Sequence, residues 1–169
     1  MRKNCLLRIL CTYTSGDMSD MEKLMSFRNA FVTNLTDRIF ICYAHTDLIE
    51  IYDFSGNCLK RMRGPDQIDL AMEVVSTGGG YAARTVKGKT YKCYTYPVHA
   101  GDKVFVLYFG ELMEDYEQDS KIIVFDWNGK PLQMYELDIP LSTFTVDYEN
   151  RIIYGISNSS EIRIIKFNY

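Results

Sequence analysis

An excess of positive charge is missing from this chain of 169 residues. Lys and Arg number 19 against 22 Asp and Glu, a net charge of −3. Proteins that grip nucleic acid do so largely by neutralising phosphates, so this balance argues against that class. Long apolar runs are missing too. The longest clean one is Val104 to Phe109, far short of the ~18 residues that a membrane-crossing helix needs. The cysteines are Cys5, Cys11, Cys42, Cys58 and Cys93, an odd number that cannot form a complete internal disulfide framework. No CxxC spacing and no Cys/His cluster occurs, so neither structural zinc nor another bound metal or cofactor is expected. Cys42, Cys58 and Cys93 sit in strand-like runs, where a buried thiol behaves as a small hydrophobe.

Signals for export are weak. The start is basic, but Arg8 interrupts its apolar stretch, and Arg8-Ile9-Leu10 lacks the small residue expected before a lipoprotein cysteine at position 11. Leu6 to Thr14 therefore reads as a strand. Ser19-Asp-Met-Glu22 resembles a capping box that would start one or two helical turns at Lys23.

What the chain does have is apolar and aromatic content, 47% and 14%, with 13 Tyr and 9 Phe. Such content excludes disorder and favours sheet. It also repeats itself, which is the first thing to seek in a β-rich sequence. Ile49-Glu-Ile-Tyr-Asp-Phe-Ser-Gly-Asn-Cys-Leu59 aligns without a gap on Ile122-Ile-Val-Phe-Asp-Trp-Asn-Gly-Lys-Pro-Leu132. Arg38 to Phe54 aligns, again without a gap, on Arg151 to Phe167, and Asp102 to Tyr108 matches Asp37 to Tyr43. Each unit reads as strands A, B, C and D. The first has them at 30–34, 38–43, 48–54 and 58–62, and the second at 91–96, 103–109, 121–127 and 131–137. The third has A to C at 142–147, 151–157 and 161–167.

In the strand from Lys121 to Trp127 both faces are apolar. A half-solvated sheet would alternate polar and apolar residues. Sheets covered on both sides, with four strands per ~40 residues, are the signature of β-propeller blades. The expected fold class is therefore all-β: about three propeller blades at 30–64, 91–139 and 141–169, preceded by a segment at 1–29 and interrupted by an insertion at 65–90. That insertion contains Gly78-Gly79-Gly80 and reads as a loop with an irregular hairpin.

The pattern resembles the TolB-like six-bladed β-propeller proteins of Bacteroidales-type bacteria. The resemblance is carried by Ile49 to Phe54 with Gly64-Pro65-Asp66, by Lys103 to Gly110, by Ile123 to Leu132, and by Phe144 to Tyr154. It implies a partial six-bladed ring and a place in the periplasm or cell envelope. It brings no catalytic residues with it. Three arrangements follow: half of a larger propeller, a homodimer of two chains that completes a six-bladed ring, or an open arc with exposed strand edges.

Candidate sites are few. Gly88-Lys89-Thr90 resembles the tail of a phosphate-binding loop, but Ala83 stands where the motif needs Gly, and Tyr91 to Tyr96 reads as strand rather than helix. Asp53 and Asp126 recur beside tight turns, which explains them structurally. His45 and His99 are expected in loops without a nucleophile beside them. Tyr81, Tyr91, Tyr94 and Tyr96 suit strand packing more than sugar stacking. Glu111 to Asp119 forms a long acidic B-to-C loop that does not match a calcium loop.

Propeller geometry puts B-to-C loops and D-to-A connections on one end, which gathers His45, Asp47, Asp66, Glu111, Glu114, Asp115 and Asn158 as candidate binding residues. The function this implies is a non-catalytic module that binds a protein or small ligand there. The alternative is a hydrolase or lyase acting on sugars or lactones, with carboxylates from several blades converging on the channel. Strand A copies, which line that channel, carry few acids, so the binding module is preferred.

Overall fold

A computed structural model describes residues 27–114, 120–157 and 161–169. The expected strand at Leu6 to Thr14 and the helical turns near Lys23 lie outside the described residues. Among the described residues there is no helix, and hence none long and apolar enough to cross a membrane.

The chain forms antiparallel sheets in sequence order. Sheet 1 holds β1 (Asn29–Thr33), β2 (Arg38–Tyr43), β3 (Leu48–Asp53) and β4 (Cys58–Arg63). A hairpin of β5 (Met72–Thr77) and β6 (Gly80–Thr85) follows, inside the segment expected to contain one. Sheet 2 holds β7 (Tyr91–Ala100), β8 (Lys103–Leu112), β9 (Lys121–Asp126) and β10 (Pro131–Glu136). Sheet 3 holds β11 (Thr143–Asp147), β12 (Ile152–Ser157) and β13 (Arg163–Asn168). The strands expected in the three repeat units therefore form, and successive strands pair as neighbours within each sheet.

Sheet 2 is the middle layer, and strand alternation puts a different apolar set on each of its faces. Val104, Val106, Tyr108, Ile123 and Phe125 pack against Phe40, Cys42, Ile49 and Ile51 of sheet 1. Phe105, Leu107, Phe109, Ile122 and Val124 pack against Phe144 and Ile153 of sheet 3. This double coverage is why β9 lacks a polar face. Each such buried side chain contributes about 1.5–3 kcal/mol.

The two recurrent turns are built alike. The Gly56 amide donates to the Asp53 carbonyl and the Gly129 amide to the Asp126 carbonyl, each at 3.0 Å. Gly56 and Gly129 have φ of 85° and 74°, a region open to glycine at no steric cost. The Asp53 carboxylate accepts from the Asn57 amide at 2.8 Å, and the Asp126 carboxylate from the Lys130 amide at 2.8 Å.

Three expectations change. Cys58 opens the outer strand β4 and is exposed, so among the described residues the buried thiols are Cys42 and Cys93. His99 lies on β7, not in a loop, because that strand runs on to Ala100 through register shifts. Glu111 lies on β8 opposite Lys92, because that strand outlasts its repeat partner.

The third unit also departs from the gap-free alignment. In sheet 1 the Asn34 amide donates to the Arg38 carbonyl at 3.2 Å across a turn of Leu35 to Asp37. In sheet 3, Asp147 opposes Ile152 across Tyr148 to Arg151, one residue more, with Arg151 at φ 55°. One added residue reverses the facing of β11 relative to β12: Phe144 is buried where its counterpart Phe31 is 66% exposed. Ile153 keeps the inward facing of its counterpart Phe40, toward sheet 2. Further along, Ile165 and Phe167 pack inward, while Ile162 and Ile164 are 82% and 78% exposed.

Candidate functional site

The B-to-C and D-to-A connections of sheets 1 and 2 meet at one end of the stack. The Cys93 amide of β7 donates to the Ala44 carbonyl at 2.8 Å, joining the two sheets directly. Asp47, which precedes β3, is fully buried and organises the rest. One of its carboxylate oxygens accepts from the Asp66 and Gln67 amides at 2.8 and 2.9 Å. The other accepts from the Tyr94 hydroxyl of sheet 2. Its backbone accepts from the Gly64 amide and donates to the Ile68 carbonyl, each at 2.9 Å.

Two glycines permit this closeness. A Cβ at Gly64 would collide with the Tyr94 hydroxyl and the Asp47 carboxylate. Gly110, at φ 74°, has no room for a Cβ either, which would lie 2.6 Å from an Asp66 carboxylate oxygen. That carboxylate accepts from the Tyr108 hydroxyl at 2.5 Å. The result is a run of two tyrosines and two carboxylates across the junction. Burial, followed by the Asp47 charge, pushes the Tyr94 hydroxyl far up. Burial and its bond to Asp66 do the same for Tyr108. Both phenols therefore stay protonated as donors.

The other expected residues separate into two groups. His45 is buried, with Nδ1 at 3.0 Å from the Tyr91 carbonyl. Burial lowers its pKa from the usual histidine value, against the carbonyl, which raises it. Asp66 and Glu114 are exposed, and a Glu114 carboxylate oxygen accepts from the Gly88 amide. Glu111 is half-buried near Lys92, whose ammonium sits 3.4 Å above the centre of the Phe109 ring. Burial lowers the Lys92 pKa and the Glu111 charge opposes that shift. Thus His45, Asp47, Asp66, Glu111 and Glu114 share one end of the molecule. Asp115 and Asn158 lie outside the described residues.

Of the four tyrosines, Tyr94 is in the core and Tyr91 packs against it, whereas Tyr81 and Tyr96 are more than half exposed. Gly88-Lys89-Thr90 is a turn whose Thr90 hydroxyl accepts from the Val86 amide at 2.7 Å, followed by β7 rather than a helix.

Sequence reasoning missed Glu50. It is fully buried on the outer face of sheet 1, where it accepts from the Tyr43 and Tyr52 hydroxyls at 2.7 and 3.1 Å and from Arg61 Nε at 2.6 Å. Its repeat counterpart is Ile123. A carboxylate at an apolar repeat position, flanked by two tyrosines and an arginine on paired strands, was the available signal.

At the opposite end a cleft of about 520 Å³ opens between sheets 2 and 3, lined in part by Lys103, Phe105, Tyr135, Tyr148, Arg151 and Tyr169. None of the expected site residues lines it. Its counterpart between sheets 1 and 2 is filled. There Gly129 sits against Ile51 and Met62, and Lys60 Nζ donates to the Asn128 carbonyl at 3.1 Å.

Stacked four-stranded antiparallel sheets in sequence order, with two-sided cores and connections gathered at the ends, define a β-propeller module. The family comparison agrees: the model of the TolB-like 6-blade propeller-like family matches residues 12–149. The chain belongs to that family. No curated protein and no solved structure matches it.

Proposed function

We propose that this propeller module works by binding, without catalysis, at the end where its B-to-C and D-to-A connections meet. The observation that carries the reading is the convergence there of connections from two sheets, tied by Asp47 and Tyr94. The β5–β6 hairpin leaves the stack between those same two sheets, and its strands pair only with each other among the described residues. A two-stranded hairpin alone is marginal in water, so contact with a partner would stabilise it.

The surface divides its labour. Asp47 and His45 are buried and hold the loops. Asp66 and Glu114, with Pro65 beside them and Glu111 at the edge, face outward and suit a protein or small ligand bearing basic groups.

A photo-crosslinking residue placed at position 66 or 114 of the whole chain tests this, with position 59 on β4 as the control. Incubation with extract of the source cells should give discrete adducts from 66 and 114 and few from 59. Equal yields from all three positions, or none from 66 and 114, would sink the reading.

A further inference from the structure

We propose that the free edge of β6 takes an extended segment of a partner protein as a third strand, with acidic residues at the start of that segment. This goes beyond the loop-end reading and does not depend on it.

The pairing of the hairpin shows which groups are free. Gly78-Gly79 is a two-residue turn, and the ladder runs from Thr77 opposite Gly80 to Met72 opposite Thr85 without a register shift. In such a hairpin the pair beside the turn is hydrogen-bonded, and bonded pairs then alternate along the ladder. Val75 with Ala82 and Glu73 with Arg84 are therefore the next bonded pairs. The amides and carbonyls of Tyr81, Ala83 and Thr85 point away from β5. No backbone bond takes them to another element among the described residues.

The outer strands of the stack are protected against such pairing, and β6 is not. β4 carries Lys60, Arg61 and Arg63, β10 starts at Pro131, and each has a register shift against its neighbour. Charge, proline and bulges are the usual devices that blunt a strand edge. β6 has neither proline nor bulge. Its one charged side chain, Arg84, is held by Glu73 at 2.7 Å, and Ala82 and Ala83 are small enough for a second backbone to approach.

The base of the hairpin is fixed all the same. The buried Thr90 hydroxyl accepts from the Val86 amide at 2.7 Å and donates to the Ala71 carbonyl, which ties the two arms together. The Thr46 hydroxyl of sheet 1 donates to the Ile68 carbonyl at 2.9 Å. An open edge on a fixed base leaves less to order when a partner binds.

Charge selects the occupant. The turn after β6 presents Lys87 and Lys89, both exposed and in no ion pair among the described residues. Glu114, which reaches this turn, is engaged by the Gly88 amide. A segment antiparallel to β6, the more stable pairing, begins beside Thr85. Its first residues therefore lie nearest the two lysines, where acidic side chains complete the match. Main-chain bonds to the edge supply affinity, and the flanking side chains supply specificity.

The experiment selects from a library of random peptides displayed on phage, with the whole chain as bait. Enriched sequences should start with acidic residues and then alternate apolar and polar ones. A synthetic peptide of the leading sequence should slow hydrogen exchange at Tyr81, Ala83 and Thr85. Ala83→Pro removes an outward amide without breaking a bond of the hairpin, and should weaken this peptide about tenfold. Val74→Pro, the same change on the outward side of β5, should leave it bound. Lys87→Glu together with Lys89→Glu should weaken it by a similar factor. Should both prolines release the peptide, the exchange pattern decides. No enrichment overturns the proposal, and so does a peptide that Ala83→Pro does not weaken. A peptide that Asp66→Ala releases and Ala83→Pro spares belongs to the loop end, and overturns this proposal alone. A doubled solution mass of the chain that Ala83→Pro abolishes also overturns it, since the edge would then be taken by a second copy.

Discussion

The junction between sheets 1 and 2 and the junction between sheets 2 and 3 use the same position for the same task with different chemistry. Asp47 and Ser120 are repeat counterparts, each just before strand C and each fully buried. The carbonyl of each accepts from the residue after strand D, Gly64 at 2.9 Å and Leu137 at 3.1 Å. The side chain of each then binds the connection to the next sheet. Ser120 holds one amide, that of Leu141, at 3.0 Å. Asp47 holds two amides and also the Tyr94 hydroxyl of the next sheet. The two connections differ to match. The second passes directly from β10 to β11, while the first carries a whole hairpin. A short connection has little freedom to lose, and one hydroxyl suffices. A long one costs more entropy to anchor, and here a carboxylate with charge-assisted bonds does it.

The largest expected effect comes from removing that difference. Asp47→Ala leaves two amides and a tyrosine hydroxyl without their acceptor in a buried place, and should cost about 3–5 kcal/mol of unfolding free energy. Ser120→Ala orphans one amide and should cost about 1–2 kcal/mol. Urea denaturation of both variants measures the gap. Equal losses would mean that the two junctions are energetically alike and that the extra bonds at Asp47 contribute nothing.

Next comes Gly64→Ala. The added methyl meets the Tyr94 hydroxyl and the Asp47 carboxylate, and crowding of this kind costs about 1–3 kcal/mol. Tyr94→Phe removes one of the two obstructing groups. The cost of Gly64→Ala should therefore be smaller in the Tyr94→Phe background, a coupling that a double-mutant cycle reads directly. Strict additivity would show that Gly64 is not packed against Tyr94.

The same junction shows how much the sequence disclosed. Strand order, the turns at Asp53 and Asp126, and the two-sided core of sheet 2 were legible, because period-2 alternation and tight turns are local. The gathering of Asp47, Asp66 and Glu111 at one end was legible from connectivity alone. That Asp47 would be buried was not, since its partners Tyr94 and the 66–67 amides are remote in sequence and nothing local marks them. The facing of sheet 3 was not legible either, for a different reason. An extra turn residue between Asp147 and Ile152 leaves Arg151 and Ile152 aligned with Arg38 and Ile39 and Ile153 inward like Phe40, while Phe144 turns in where Phe31 points out, and Ile162 and Ile164 are exposed where Ile49 and Ile51 are buried. Glu50 was hidden because the repeat led the eye to Ile123, its apolar counterpart.

A smaller effect belongs to the outer half of the first junction. Tyr108 donates to the exposed Asp66 at 2.5 Å, and water can replace much of that bond. Tyr108→Phe and Asp66→Ala should each cost about 1 kcal/mol. Because they break the same bond, the double variant should cost little more than either single one. A double variant equal to the full sum would place the effect of each residue elsewhere.

The smallest expected effect is a pH dependence that only the first junction should have. His45 has a folded-state pKa below its usual value of 6.5, chiefly because burial disfavours the charged ring. The unfolded chain therefore takes up the proton first as pH falls. Unfolding free energy should be level above the unfolded-state value of about 6.5 and should decline as pH drops below it, until the folded state is protonated as well. Carboxylates titrate mostly lower, so the upper part of that window isolates the histidine. His45→Gln keeps a polar side chain near the Tyr91 carbonyl without a proton to gain, and should flatten the slope between pH 7 and pH 5.5. Stability curves of the two proteins that run parallel through this window would show that the imidazole is not held neutral by the fold. The tie between the 44–47 loop and β7 would then owe nothing to its burial.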